Sequence, residues 1–200
     1  MLKIKLCKPS HGFQANTYII SSAGECAIVD PSVPYDQSLL DGSLKYILLT
    51  HAHFDHMLDI DSWVDNTEAT VIISEQERDA LPDPIRNCYK FFDGSDKGYF
   101  GDALGIEDMK VLPFGDTEIK VISCPGHTVG SVCYLCDGNA FVGDTVFAGG
   151  GYGRFDLPTG DLAMLRDSID RIVMLDCETV LYPGHGNTTT VKEYKRDIGR

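Results

Sequence analysis

The sequence lacks a long apolar run, a concentrated basic segment and an even set of cysteines, and each absence argues against a class of protein. No apolar stretch approaches the roughly 20 residues that a membrane-spanning helix needs. The formal net charge is −13, and lysine and arginine are scattered apart from a short cluster at residues 192–196. Such a chain repels the phosphates of nucleic acids. The seven widely spread cysteines are typical of free thiols in a reducing compartment.

The N-terminal segment and the composition favour a cytoplasmic globular protein. Residues 1–8 alternate apolar and charged side chains and lack the apolar core of a secretory signal. Apolar residues make up 43% of the chain and charged residues 24%, ordinary values that argue against disorder. A chain of 200 residues can bury a substantial core, so we expect one domain over residues 1–200.

Strand-like runs occur in both halves of the chain, each rich in β-branched or aromatic residues and bounded by glycine, proline or serine. They predict strands at 3–8, 16–21, 26–30, 44–50 and 69–74, then at 117–123, 131–136, 140–143 and 179–182. Helices are predicted at 57–65 and, from apolar residues at helical spacing, at 162–173. Thr190 and Glu193 form a capping box that begins a terminal helix. Two strand-rich halves with helices outside indicate an α/β layered sandwich, with functional residues on loops at the sheet ends.

Residues 81–105 do not follow this plan, because they contain prolines, glycines and several aromatic residues with little periodicity. Two interpretations remain open. The segment is either a surface insertion or a lid that covers the substrate and lines a pocket with its aromatic side chains.

Histidine and aspartate are concentrated in one motif, H-x-H-x-D-H at residues 51–56, which directly follows the predicted strand 44–50. Imidazole and carboxylate are the ligands of zinc, iron and manganese. A loop leaving a buried strand can turn His51 and His53 toward one metal ion. Asp55 and His56 then point toward a second. The motif therefore predicts a binuclear metal site.

Three further residues at strand ends complete the predicted ligand set. His127 and His185 each lie in a Pro-Gly-His sequence and could supply one ligand to each ion. Asp144 could bridge two cations about 3.5–4 Å apart through its two carboxylate oxygens. Each ion would keep an open position, which is typical of catalytic sites, and a bridging water would be acidified toward a pKa of roughly 7. We assign Asp55 and Asp144 to the catalytic centre.

Four segments, at residues 51–56, 124–131, 143–147 and 182–189, together resemble the metallo-β-lactamase superfamily. The closest resemblance is to its glyoxalase II-like (hydroxyacylglutathione hydrolase-like) branch, over residues 16–190. It implies an αββα four-layer sandwich with the metal site at one edge of the sheets. It also implies that Asp30 orients a metal-binding imidazole, as such ligands usually require. From the residues alone, Asp30-Pro31 is equally typical of a turn.

The glycine-rich segment 148–156 carries the residues predicted to bind substrate, Tyr152 and Arg154. It is similar to a Gly-Arg-x-Asp turn of the family but one glycine longer. Arg154 could hold a substrate carboxylate, or it could pair with Asp156 and brace the loop. A phosphate-binding loop is not expected, because no Gly-Lys-Ser/Thr follows. The glutathione-contacting C-terminal region of longer glyoxalase II enzymes is expected to have no counterpart.

The resemblance implies a hydrolase with two divalent metal ions, zinc first, with iron or manganese as alternatives. Its substrate would be a small-molecule thioester or ester, short and anionic, such as a hydroxyacylglutathione-type thioester. A metal-bridging hydroxide would attack the carbonyl carbon, while the metals polarise the carbonyl oxygen and stabilise the leaving thiolate. Neither a nucleic-acid nor a membrane partner is expected, and the sequence leaves the oligomeric state open.

A second hypothesis is a mononuclear iron persulfide dioxygenase of the same superfamily. Two histidines and an aspartate would hold the iron: His53 or His51, with His127 and Asp144. β-Lactamase activity is disfavoured, because the aspartate of the H-x-H-x-D-H motif and the bridging Asp144 fit the thioesterase-like branches better.

Two other features are predicted to have no role in the site. Cys133 and Cys136 form a C-x-x-C sequence, but on a strand their odd separation places the thiols on opposite faces. His11 is predicted to be an exposed loop residue.

Overall fold

Two six-stranded sheets form the centre of the fold in the computed structural model, which describes residues 2–10 and 12–200. The first sheet contains, in chain order, β1 (Lys3–Cys7), β2 (Thr17–Ser22), β3 (Glu25–Val29), β4 (Ser43–Leu48), β5 (Thr70–Ser74) and β6 (Leu104–Ile106). The β1–β2 and β2–β3 pairs are antiparallel, whereas the β3–β4, β4–β5 and β5–β6 pairs are parallel.

The second sheet is built mainly from the second half of the chain. Its strands are β7 (Val111–Phe114), β8 (Thr117–Ser123), β9 (Val132–Cys136), β10 (Asn139–Gly143), β13 (Val180–Pro183) and β14 (Thr189–Thr190). Their order across the sheet is β14-β13-β10-β9-β8-β7, and only the β10–β13 pair among these described strands is parallel. A separate small hairpin joins β11 (Val146–Phe147) to β12 (Gly151–Tyr152).

Helices cover the outer faces of both sheets. They are α1 (Ile60–Asp65), α2 (Tyr89–Phe92), α3 (Leu162–Val173) and α4 (Val191–Asp197). Short 3₁₀ turns occur at Gln37–Leu39, Phe54–His56, Arg78–Ala80 and Ala148–Gly150. The capping box at the start of α4 is present as predicted, with reciprocal hydrogen bonds between Thr190 and Glu193.

Three apolar layers hold the sheets and helices together. Alternation along β2 explains the first two, because Ile19 packs outward against α1 while Ile20 packs inward between the sheets. The third layer lies between the second sheet and helices α3 and α4, and it includes Leu165, Ile172 and Tyr194. Three apolar layers between two layers of helices and two sheets confirm the αββα four-layer sandwich.

The predicted strands are present, with bounds shifted by one or two residues. The prediction missed the strands β6, β7, β11, β12 and β14 and the short helix α2, and the predicted helix at 57–65 begins only at Ile60. β6 lies inside the aperiodic segment 81–105 and pairs with β5 as the edge strand of the first sheet. Three residues are too few for an alternating pattern to be read from sequence. No helix in residues 2–10 and 12–200 is both long and apolar enough to cross a membrane.

Two further predictions concern single residues. The thiols of Cys133 and Cys136 lie on opposite faces of β9, the first packed against the helices and the second between the sheets, as predicted. None of the seven cysteines, all of them in the described part of the chain, forms a disulfide. His11 lies outside the described residues.

The topology brings five strand ends to one edge of the sandwich. In the first sheet, Asp30 follows β3 and the H-x-H-x-D-H motif follows β4. In the second sheet, His127 follows β8, Asp144 follows β10, and His185 follows β13. Strands β8, β10 and β13 run in the same direction, so their carboxyl ends meet at the same edge.

A buried hydrogen bond links the two sheets beside this edge. The hydroxyl of Tyr134, on β9, donates to the carbonyl of Leu49, just after β4, over 2.9 Å. Replacing Tyr134 with Phe preserves the ring but leaves a buried carbonyl without this donor. We expect Tyr134→Phe to lower the free energy of unfolding by about 1–3 kcal/mol in urea denaturation. The matched control, Tyr46→Phe, removes an exposed hydroxyl contact to Pro113 and should change it by less than about 0.5 kcal/mol. Equal effects of the two changes would contradict this view of the sheet interface.

Candidate metal centre

The five predicted histidines and two predicted aspartates converge at the edge where the strands end. Their potential ligand atoms fall into three overlapping groups, in each of which all atoms lie within 4.8 Å of one another. The groups are His51, His53 and His127; His51, His56 and Asp144; and Asp55, His56 and His185. The first two groups share His51, and the last two share His56.

Asp144 lies between the outer groups and faces both. Its Oδ2 is 3.6 Å from Nε2 of His127 on one side and 3.6 Å from Nε2 of His185 on the other. Its Oδ1 is 3.4 Å from Nε2 of His56. Each carboxylate oxygen thus faces imidazole nitrogens without approaching them closely enough for a short hydrogen bond. This spacing fits a carboxylate that bridges two cations.

Several of these ligand atoms are buried with no hydrogen-bond partner among the described residues. They are Nε2 of His51, Nε2 of His53, Nε2 of His56 and Oδ1 of Asp144. Buried polar atoms are almost always paired, so four orphaned ones at a single place require a ligand. Imidazole nitrogens and carboxylate oxygens form a donor set suited to zinc, iron or manganese, and the residues therefore fit a metal centre.

Contacts around the cluster fix the orientation of two imidazoles. Nδ1 of His56 lies 2.8 Å from Oδ2 of Asp30, and Nδ1 of His127 lies 2.6 Å from the carbonyl oxygen of Arg154. A proton donated from Nδ1 leaves Nε2 of each ring free to bind a cation. Asp30 also accepts hydrogen bonds from the backbone N–H and the hydroxyl of Thr50. The orienting role implied for Asp30 agrees with this geometry.

The electrostatics divide the cluster into a neutral and a charged side. Burial lowers the pKa of His53 to about 3 and that of His51 well below its usual value, so both rings are neutral at pH 7. Burial also lowers the pKa of His56, but Asp30, Asp144 and Asp55 outweigh it and raise that pKa well above the usual range. A cation bound among these carboxylates would take the place of the His56 proton.

The backbone of Gly184 packs directly against the side chains of Asp144 and His56, next to His185. A Cβ atom on Gly184 would lie 2.3 Å from Oδ1 of Asp144 and 2.4 Å from Cε1 of His56, so this position of the Pro-Gly-His sequence requires glycine. The side-chain amide of Asn16 donates to the carbonyls of Pro183 and Gly186, on either side of His185. Asn16 was not predicted as a functional residue, because its hydrogen-bond partners lie more than 160 residues away in sequence.

A cavity of about 360 Å³ opens above Asp55, Asp144 and His185. Apolar side chains make up most of its wall: Phe13, Phe54, Cys88, Phe92, Phe147 and Leu157. Among the described residues, Arg154 is the one arginine or lysine at its wall. Both guanidinium contacts of Arg154 go to Asp156, at 2.8 and 2.9 Å, which is the loop-bracing alternative.

The structure does not bring Tyr152 into this cavity. The residue lies on β12, its side chain is 48% exposed, and it is absent from the cavity wall. Segment 81–105 contributes Cys88 and Phe92 to the wall, whereas Tyr99 is buried in the layer beneath α1. The segment is thus a wall of the cavity, and its closure over substrate stays a prediction.

Residues 11–185 match the metallo-beta-lactamase superfamily. The chain belongs to this superfamily. A curated relative, the hydroxyacylglutathione hydrolase GloC of Haemophilus influenzae, is 27% identical over 94% of this chain and 93% of its own length. The predicted family, including its likeness to hydroxyacylglutathione hydrolases, is confirmed.

Solved structures of the superfamily have the same fold. The BLEG-1 B3 metallo-β-lactamase superposes with a TM-score of 0.87 at 31% identity and covers 97% of each chain. ETHE1 from Myxococcus xanthus gives a TM-score of 0.77 at 26% identity, over 99% of this chain and 84% of its own. A protein named TTHA1623, solved in a di-iron-bound form, gives 0.79 at 25% identity, over 93% and 94%. The histidine cluster of this chain therefore lies in a fold shared with metal-dependent hydrolases.

Proposed function

We propose that this protein is a binuclear metal-dependent hydrolase of small-molecule thioesters or esters. The observation that carries the proposal is the position of Asp144, whose two oxygens lie 3.4–3.6 Å from histidine nitrogens of both outer groups. A carboxylate placed in this way suits two cations better than one.

The ligand groups define which residues would hold each ion. One site would use His51, His53 and His127, the other Asp55, His56 and His185, with Asp144 shared. Two divalent ions bound there would acidify a water and polarise a substrate carbonyl. The di-iron form of a similar protein supports a two-metal site, and zinc, iron and manganese all suit the donor set.

The more exposed side of the cluster indicates where substrate would enter. His185 and Asp55 are partly exposed and line the cavity, whereas His51 and His56 are completely buried. Oδ2 of Asp55 lies 3.1 Å from Nε2 of His185, which holds this carboxylate at the cavity floor. Asp55 is therefore the group placed to accept a proton from an attacking water.

The cavity wall bears on the substrate class. Its apolar side chains exclude water and would pack against apolar substituents of the substrate. The guanidinium of Arg154 is paired with Asp156, so it would bind a substrate carboxylate only by leaving that pair. The short, anionic substrate stays a prediction, and the apolar wall favours a thioester that also carries an apolar group. The likeness to a hydroxyacylglutathione hydrolase supports the thioester chemistry.

Removal of a shared or an outer ligand tests this proposal. We expect Asp144→Asn and His185→Ala to lower kcat/KM for the best substrate of a thioester panel by about 10³-fold, because metal ions supply several kcal/mol of transition-state stabilisation. Circular dichroism would confirm that both variants fold. The control, Asp61→Asn, changes an exposed aspartate on α1 and should retain full activity. Full thioesterase activity in either site variant would contradict the proposal.

The likeness to ETHE1 is compatible with the second candidate, the mononuclear iron persulfide dioxygenase. Oxygen consumption by the iron-loaded protein with glutathione persulfide distinguishes the two. If the protein is a hydrolase, we expect no oxygen consumption above background.

A chromogenic cephalosporin belongs in the substrate panel because of the likeness to a B3 metallo-β-lactamase, and we expect the protein not to hydrolyse it.

Two neighbouring phenylalanines test the apolar cavity wall. Phe92 lines the cavity and packs against Phe13 and Phe54, whereas Phe91 on the same helix does not line the cavity. We expect Phe92→Ala to raise KM for an apolar acyl thioester by about tenfold, because the lost apolar contact is worth about 1–2 kcal/mol of binding free energy. Phe91→Ala should leave KM unchanged in the same steady-state assay. A similar response to both changes would contradict substrate contact with this wall.

The single-domain organisation over residues 1–200 and the cytoplasmic location stay predictions.

A further inference from the structure

We propose that Glu77 is a positioning residue that holds the loop of His51 and His53 against the loop of His127. It is a buried acid outside the ligand set, and the chemistry proposed above does not use it. The inference rests on the proposed metal centre. In it, the Glu77 carboxylate fixes the ligands of one of the two cation sites before a cation binds.

The carboxylate of Glu77 accepts hydrogen bonds from both ligand loops. Its Oε2 accepts the backbone N–H of Ala52, the residue between His51 and His53, over 3.1 Å. Its Oε1 accepts the backbone N–H of Gly130, three residues after His127, over 3.0 Å. One side chain therefore bridges segments that come from different sheets.

Glu77 is itself held rigidly. Its side chain is 2% exposed, and its backbone N–H donates to the carbonyl of Ser74 at the end of β5. Its carbonyl accepts the N–H of Ala80, and this hydrogen bond closes the 3₁₀ turn Arg78–Ala80. A Cβ atom on Gly130 would lie only 2.7 Å from Cγ of Glu77, so the glycine permits the close approach. A fixed carboxylate of this kind transmits its position to the loops that it binds.

The contacts of Glu77 lie on one side of the metal centre only. The two loops that it joins carry the group His51, His53 and His127, in which Nδ1 of His53 faces Nε2 of His127 at 2.9 Å. The other outer group is held by different residues, since Asp30 orients His56 and Asn16 brackets His185. Loss of the Glu77 carboxylate should therefore weaken one cation site and spare the other.

Zinc titration of metal-free protein against a chromophoric chelator tests this asymmetry without any substrate. Glu77→Gln keeps the shape of the side chain, but its amide NH₂ must face one of the two N–H donors. In a His185→Ala background, where the His51, His53 and His127 group is intact, we expect Glu77→Gln to weaken zinc binding 10–100-fold. In a His53→Ala background, we expect less than a twofold change.

The control is Glu75→Gln, which alters a half-exposed glutamate two residues away that pairs with Arg78. It should leave both zinc affinities unchanged. Amide hydrogen exchange supplies a readout independent of metal: the N–H groups of Ala52 and Gly130 should exchange faster in Glu77→Gln, while that of Asn16 should not. If Glu77→Gln does not fold, Glu77→Asp replaces it, because the shorter side chain cannot reach both loops; the same selective loss is expected.

The outcomes separate this inference from the proposed function. Equal weakening in both backgrounds would show a merely structural role and overturn the inference. Unchanged zinc affinity in both backgrounds would also overturn it while leaving the two-metal proposal intact. A wild-type chain with no zinc affinity would overturn the proposed function, and the inference would fall with it.

Discussion

The structure depends on one constraint: imidazole nitrogens and a carboxylate oxygen are buried close together without hydrogen-bond partners. Leaving a single buried polar group unpaired costs about 1–3 kcal/mol, and four such atoms lie within one cluster. The fold tolerates that cost because the cluster sits at an edge built from five strand ends, braced by three apolar layers. A bound cation would remove the cost, so metal binding and stability are coupled in this chain.

The residues around the cluster explain how so many like groups are kept in place. Asp30 and the carbonyl of Arg154 each accept a hydrogen bond from the Nδ1–H of one imidazole, and Asn16 holds the backbone on both sides of His185. Glu77 joins two of the remaining loops. Each of these contacts positions a metal-ligand residue, either through the backbone of its loop or through the Nδ1 atom of its imidazole. The cation sites are therefore shaped largely by residues that would never touch an ion.

Sequence alone predicted the layered fold and the seven residues of the cluster, because the H-x-H-x-D-H motif and the Pro-Gly-His sequences are local patterns. It did not predict Asn16 or Glu77, whose partners are backbone groups distant in sequence and carry no residue signature. It also predicted that Tyr152 binds substrate, which stays untested; the cavity wall contains Phe13, Phe92 and other apolar side chains but not Tyr152. Short edge strands such as β6 escaped prediction because three residues show no period.

The central claim is that Asp144 lies between two metal ions, and metal content per chain tests it most directly. Elemental analysis of protein purified without added metal should give close to two ions per chain, in any mixture of zinc, iron and manganese. Asp144→Asn should lower that value. Close to one ion per chain, nearly all iron and retained in Asp144→Asn, would contradict the two-metal account.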